Sequence, residues 1–190
     1  MPFRLYDHSS HFIYRRKIKR TFLYVRPADA NDIKLVHEWI HQPYAHRFWN
    51  MQVTLKELTQ DFFSKRISNV SRQFLVCHQK KPIALVEVYH VIQTEVGSQY
   101  DVQRGDYGIH LLMAPPKDLL YLNRLLNKVS LDVLLTVTKM LFSNQSVIRI
   151  IAEPDIHNSP ARNLAKKAGF AFLKDIHLSD KVASLFILSK

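Results

Sequence analysis

Hydrophobic positions along this chain recur with two different periods, and the switches between them mark out the elements. "TFLYVRPAD" alternates as a strand and stops at Pro27. In "DANDIKLVHEWI", Asp29 is placed to cap a helix whose apolar residues Ile33, Val36, Trp39 and Ile40 follow at helical spacing. "TLKE", from Thr54, is a capping box, and Leu58, Phe62 and Ile67 continue a second helix. Two β-rich runs come next, "RQFLVCHQ" and "PIALVEVYHVI", joined by "KKP", which is short enough for a hairpin; a strand over residues 105–113 follows. Residues 114–129 make a long connection into "SLDVLLTVTKMLF", a well-buried helix with Ser130 as its cap. "SVIRIIAEPD" is a β-branched strand stopped by Pro154, and "SPARNLAKKAGF" is a helix with Pro160 in its first turn and Gly169 just past its end. Two strands, "AFLKDIHL" and "VASLFILS", joined by a tight "SDK" turn, close the chain.

The order β-α-α-β-β-β-α-β-α-β-β predicts an α/β (mixed α+β) domain, a central mixed sheet with helices on both faces. No internal repeat, low-complexity segment or linker interrupts it, so the expectation is one domain over residues 22–190 behind a basic N-terminal arm of residues 1–21. Composition agrees: 190 residues, 47% hydrophobic and 23% charged, suit a soluble domain with a substantial core. No apolar stretch approaches the roughly 18 residues that span a bilayer, and the basic start has neither an apolar core nor a small-residue cleavage site after it. A cytoplasmic location is therefore expected. The single cysteine, Cys77, has no partner for a disulfide and reads as a small strand hydrophobe.

Charge adds a partner class. A formal +11 suggests an anion: a nucleic acid, a membrane surface or a phosphorylated small molecule. Residues 1–26 hold seven Lys and Arg against Asp7 alone, so six of the eleven positive charges lie there and the remainder is mildly basic.

Candidate chemistry centres on "GDYGIHLLMAPP", where His110 interrupts an otherwise apolar strand. A lone histidine there could simply bond backbone groups in a core. It gains meaning from other segments: "RPADANDIKLVHEW", "HRFW", "EVY", "DYGIHLL", "EPDIHN", "AKKAGF" and "LSDKVASL" occur in order from about residue 24 to the C-terminus. Asn158 and Ala161, with Gly169 and Phe170 after them, add a late N-x-x-A…GF pattern. This set resembles the GCN5-related N-acetyltransferase (GNAT) superfamily, and within it the siderophore-biosynthesis acyltransferases that acylate N-hydroxylated lysine, putrescine or cadaverine.

The resemblance implies a GNAT fold with a splayed central sheet, an acyl-coenzyme A co-substrate (acetyl-CoA or succinyl-CoA), an N-hydroxy amine acceptor and a hydroxamate product, with no metal, nucleic acid or membrane as partner; a homodimer is compatible with it. His110 is expected as a general base near its ordinary pKa of about 6.5, and Asp155 as the group that orients it or holds the amine. Backbone N–H groups of Leu111, Leu112 and Met113 are expected to stabilise the thioester oxygen. The coenzyme A pyrophosphate normally sits on a glycine-rich loop at a helix start; here that place reads "RLLNKVS", without glycine, and offers Arg124, Asn127 and Lys128. Asn158 is expected either to touch the pantetheine arm or to cap the next helix. Trp39, Phe48, Trp49, Tyr89 and Tyr107 are candidates to line the acceptor pocket, with aromatic core as the alternative, and Lys181 is either a substrate contact or a solvated turn lysine.

Two other functions compete. "HEWIH", His37 to His41, fits H-E-x-x-H, in which two imidazoles one helical turn apart bind zinc, but no further ligand follows at the expected spacing. "YRRKIKR", with the glycine-free loop, supports a basic nucleic-acid or membrane-surface binding module built on an inactive GNAT-like shell, although no recognition helix or RNA-binding signature accompanies it.

Overall fold

The computed structural model describes residues 13–49, 53–126 and 128–190. Its strands are β1 (Tyr14–Ile18), β2 (Thr21–Pro27), β3 (Ser71–His78), β4 (Lys81–His90), β5 (Asp106–Met113), β6 (Arg149–Ala152), β7 (Ala171–His177) and β8 (Val182–Ser189). They form one eight-stranded sheet in the order β1-β2-β3-β4-β5-β6-β8-β7. Every neighbouring pair is antiparallel except β5 and β6, so the sheet is mixed as expected.

The helices are α1 (Ile33–Ile40), α2 (Pro43–Trp49), α3 (Leu55–Ser68), α4 (Pro116–Leu119), α5 (Val129–Ser143) and α6 (Ser159–Lys167). Strand alternation separates two cores. On one face, Ile33, Trp39 and Ile40 of α1 and Leu58 and Phe62 of α3 pack on Leu75, Leu85 and Leu112. On the other, Val133, Val137 and Met140 of α5 and Ala165 of α6 pack on Val76, Val86, Ile109 and Ile150. The entry into α1 is fixed by Arg26, whose guanidinium meets both oxygens of the buried Asp32 carboxylate at 2.6 and 2.7 Å, while Asp29 and Asp32 close a capping box. Thr54 and Glu57 do the same for α3.

Three boundaries differ from the sequence expectation. Residues 14–18 of the expected basic arm form a strand, while residues 1–12 lie outside the described residues: β1 pairs with β2, points Arg15 and Lys17 to solvent, and sends the Arg16 Nη1 to the Asp132 carbonyl of α5 at 3.0 Å. Cationic side chains on an edge also discourage pairing with a second sheet. α2 was not anticipated from the sequence; Pro43 is its first residue, where the missing N–H costs no helical hydrogen bond. α5 starts at Val129, with Lys128 and not Ser130 in the cap position.

The feature that positions the site is how little of β5 pairs with β6. Their parallel ladder covers Asp106↔Arg149, Tyr107↔Ile150 and Gly108↔Ile151, and beyond Gly108 the strands part. The paired end is clamped by Arg149, which donates to both oxygens of Asp106 at 2.7 and 2.6 Å; Tyr100 and the Gln103 amide donate to the same carboxylate. At the open end, Ala114 N–H donates to the Ile83 carbonyl of β4. By alternation, the N–H groups of Leu111 and Met113 then point away from β4 into the gap, and that of Leu112 points back to β4.

Candidate active site

Alternation along β5 places Gly108, His110 and Leu112 on the face covered by α1 and α3, and along β4 it places Leu85, Glu87 and Tyr89 there too. Glu153 follows the end of β6 with the same parity as Ile151, the partner of Gly108, and so turns to that face opposite His110. The result is an ionic row across three strands. His110 Nε2 lies 2.6 Å from Glu153 Oε1, and its Nδ1 lies 3.4 Å from Glu87 Oε2. The other Glu87 oxygen accepts from Ser71 Oγ at 2.7 Å, Gln73 Nε2 at 3.3 Å and Lys65 Nζ at 3.0 Å, with Lys65 also paired to Asp61.

With a carboxylate at each ring nitrogen, a neutral imidazole would aim its lone pair at an anion; only the imidazolium gives both nitrogens a proton to donate. Burial opposes that charge, yet the carboxylates of Glu153 and Glu87 outweigh it and push the His110 pKa up to about 9. The cation acts in return on its partners. Burial raises Glu87, but His110 and Lys65 hold its carboxyl well below the ordinary range. Burial likewise opposes the Glu153 anion, and His110 with the more distant Lys181 keeps it lowered. His110 is thus charged at neutral pH, a correction to its expectation as a base titrating near its ordinary value.

The ring of Tyr89 sits 4.9 Å from the imidazole, centroid to centroid. Gly108 makes this possible: a Cβ there would lie 2.0 Å from Tyr89 Cζ, so the glycine of "DYGIH" is the floor on which the phenol rests. Burial, then the Glu153 charge, pushes the Tyr89 phenol well above its ordinary pKa, so it stays protonated. Its hydroxyl lies within electrostatic reach of Glu153, yet among the described residues neither that hydroxyl nor Glu153 Oε2 makes a hydrogen bond of normal geometry.

Other residues named from the sequence fall in different places. Asp155 does not bond His110: its Oδ1 accepts the His157 N–H at 2.7 Å, shaping the turn before α6, and Glu153 takes the place beside the imidazole. Asn158 caps α6, its Oδ1 accepting from Ala161 N at 3.1 Å. Tyr107 is one residue out of phase with His110, so it packs in the α5 core beside His90 and cannot line the same pocket. Trp39 is 3% exposed and belongs to the α1 core. Lys181 lies in the turn between β7 and β8, its carbonyl accepting from Leu178 N, with its charge felt at Glu153. The side chains of Phe48, Trp49 and Arg124 and the whole of Asn127 lie outside the described residues. In "HEWIH", His37 Nε2 contacts the Val53 carbonyl at 3.0 Å and His41 Nδ1 the His37 carbonyl at 2.8 Å; among the described residues no three His, Cys, Asp or Glu converge as a metal site.

Glu153 and Glu87 were not singled out from the sequence. Both stand inside quoted motifs, "EPD" and "EVY", and Glu87 interrupts an apolar strand just as His110 does.

Two features suit a nucleotide-bearing thioester. Lys128 occupies the cap position of α5 without a side-chain cap bond, which leaves first-turn amides and a lysine for an anion. The Leu111 and Met113 amides facing the gap can donate to a developing oxyanion. Beside Glu87 and Lys65 a cleft lined by Ile33, Val36, Leu58 and Phe62 runs between α1, α3 and the sheet.

A mixed sheet that opens between its two parallel strands, with an ionic cluster at the opening, is the framework of an acyl-transferring enzyme. The chain matches the Acetyltransferase (GNAT) domain over residues 29–178 and belongs to that family. It is 23% identical over 167 residues to the lysine N-acyltransferase MbtK of Mycobacterium sp. (strain MCS), covering 87% of this chain and 66% of that relative's length. It is 21% identical to the N-hydroxyputrescine acetyltransferase of Acinetobacter baumannii, over 82% of this chain and 71% of the relative. Among solved structures, the aminoglycoside acetyltransferase AAC(6')-Ib in complex with coenzyme A superposes with a TM-score of 0.77 at 19% identity, covering 88% of this chain and 95% of that one. That likeness concerns the fold.

Proposed function

We propose that this chain is an acyl-CoA-dependent N-acyltransferase that converts an N-hydroxylated diamine or lysine into a hydroxamate, the iron-binding group of a siderophore. The Glu87–His110–Glu153 row at the parting of β5 and β6 carries the reading, because it joins an anionic seat for an amine to a gap wide enough to leave two backbone amides unpaired with β6. The names of the two curated relatives, a lysine N-acyltransferase and an N-hydroxyputrescine acetyltransferase, support the acceptor class. The cleft beside Glu87 has apolar walls suited to an alkyl chain, with Asp61, Lys65 and Glu87 also in its lining.

Coenzyme A would be held by the α5 N-terminus and Lys128 at its phosphates and would bring the acyl group as a thioester; the Leu111 and Met113 amides would meet the thioester oxygen. N-hydroxylation makes the acceptor nitrogen less basic than a primary amine, so it is neutral and nucleophilic at pH 7 without a strong base. The test is product formation. With acetyl-CoA or succinyl-CoA and N-hydroxycadaverine, N-hydroxyputrescine or N-hydroxylysine, the protein should release free thiol and give the coloured ferric hydroxamate complex. Thiol release with spermidine or an aminoglycoside, and none with any N-hydroxy amine, contradicts the acceptor class.

A further inference from the structure

The atoms of the ionic row are unequally occupied. Both His110 ring nitrogens face carboxylates. Of the four carboxylate oxygens, Glu87 Oε1 accepts from Ser71, Gln73 and Lys65, Glu87 Oε2 faces His110 Nδ1, and Glu153 Oε1 faces His110 Nε2. Among the described residues, Glu153 Oε2 makes no hydrogen bond of normal geometry although it is buried, with the Tyr89 hydroxyl within its electrostatic reach. It sits just past β6, where the ladder with β5 has ended, behind an imidazole whose side chain is 40% exposed. A buried carboxylate oxygen without a hydrogen bond of normal geometry therefore stands beside the parting of β5 and β6, next to a partly exposed imidazole.

We infer that Glu153 takes the proton from the acceptor nitrogen as that nitrogen bonds to the acyl carbon, while His110 is a positioning residue that locks the Glu153 carboxylate by its other oxygen and Glu87 braces the ring from behind. The inference rests on the acyltransferase reading above. It replaces the expected imidazole base, because His110 has no lone pair to offer while both its nitrogens donate. The nitrogen lone pair forms the C–N bond and the carbonyl π pair moves to oxygen. The N–H proton passes to Glu153 Oε2; the pair on oxygen returns as the C–S bond breaks and the coenzyme A thiolate leaves. Glu153 then gives its proton to water. A weakly basic carboxylate suffices, since a nitrogen that has just bonded to an acyl carbon is positively charged and gives up its proton readily. The groups facing Glu153 are His110 on β5, Tyr89 on β4 and Lys181 in the β7–β8 turn, with Tyr100 within electrostatic range; Glu87, Lys65 and Asp61 act on it through the ring.

pH–rate profiles of the full chain, taken with acyl-CoA and whichever acceptor the wild type acylates fastest, test this without depending on that acceptor being an N-hydroxy amine. Glu153→Gln, nearly isosteric, should lower kcat by about 100-fold or more with KM for acyl-CoA unchanged. His110→Asn should retain more activity than Glu153→Gln, and the acid limb of its kcat profile should move to higher pH, because the cation facing Glu153 is gone; a merely structural histidine would lower the rate without moving the limb. A Glu153→Gln variant within about threefold of wild type overturns the inference. So does an unshifted acid limb in His110→Asn, which decides the matter even if Glu153→Gln does not fold.

Discussion

A histidine with a carboxylate at each ring nitrogen couples the stability of the fold to pH. The folded-state pKa of His110, about 9, lies above its ordinary value of about 6.5. Its charge therefore stabilises the fold fully below about pH 6.5, and this contribution is lost as pH rises through about 9. Glu153 and Glu87 are depressed, so their contribution is present above the ordinary carboxylate range and is lost as pH falls below it. Urea unfolding at fixed ionic strength should give a stability gap between wild type and His110→Asn that narrows from pH 7 to pH 10; a gap that stays constant contradicts the ion cluster. At the next position but one, Gly108→Ala would push into the Tyr89 ring, with an expected cost of about 1–3 kcal/mol and a lower kcat as the ring leaves the imidazole. Thermal unfolding and steady-state rates check both. The residue scale is also where sequence reasoning reached part way. His110 was legible as a polar interruption of an apolar strand, and by the same signal so was Glu87. Glu153 was not, because choosing it over Asp155 requires the β5–β6 register, which places Ile151 beside Gly108. Tyr107 was excluded by alternation alone, since it is an odd number of residues from His110.

Among the elements, the β5–β6 junction has to be firm at one end to be open at the other. Asp106 has a fully buried side chain, and Arg149 is its charge partner. Arg149→Ala would leave a buried, uncompensated carboxylate, at an expected cost of about 3 kcal/mol or more in chemical unfolding, well beyond an exposed ion pair. By contrast, Thr54→Ala removes one acceptor for the Glu57 amide at the exposed start of α3, and about 1 kcal/mol is expected. If the two variants cost the same, Asp106 and Arg149 are not a buried clamp. The caps and strand periods of these elements were readable from the chain because they are local. α2 and the pairing of β1 were not, since a proline reads equally as helix stop and helix start, and a basic strand becomes a strand only when an edge is there to receive it.

For the molecule as a whole, order and period of the elements were enough to give a mixed sheet with helices on both faces, and the GNAT family match over residues 29–178 agrees. The site was less legible, because it is assembled from β4, β5 and the exit of β6, segments separated by 23 and 43 residues along the chain. No described helix is long and apolar enough to cross a membrane. Six of the eleven excess positive charges lie within the first 26 residues of the sequence, while the ionic row alternates carboxylates with the His110 and Lys65 cations. The measurement that bears most directly on the central claim is kcat/KM for thiol release from acetyl-CoA with N-hydroxycadaverine and cadaverine side by side. The N-hydroxy amine should be turned over with the clearly higher kcat/KM, and the rate should collapse in Glu153→Gln. Equal or better use of the parent diamine, or no thiol released with either, would contradict hydroxamate synthesis as the function of this site.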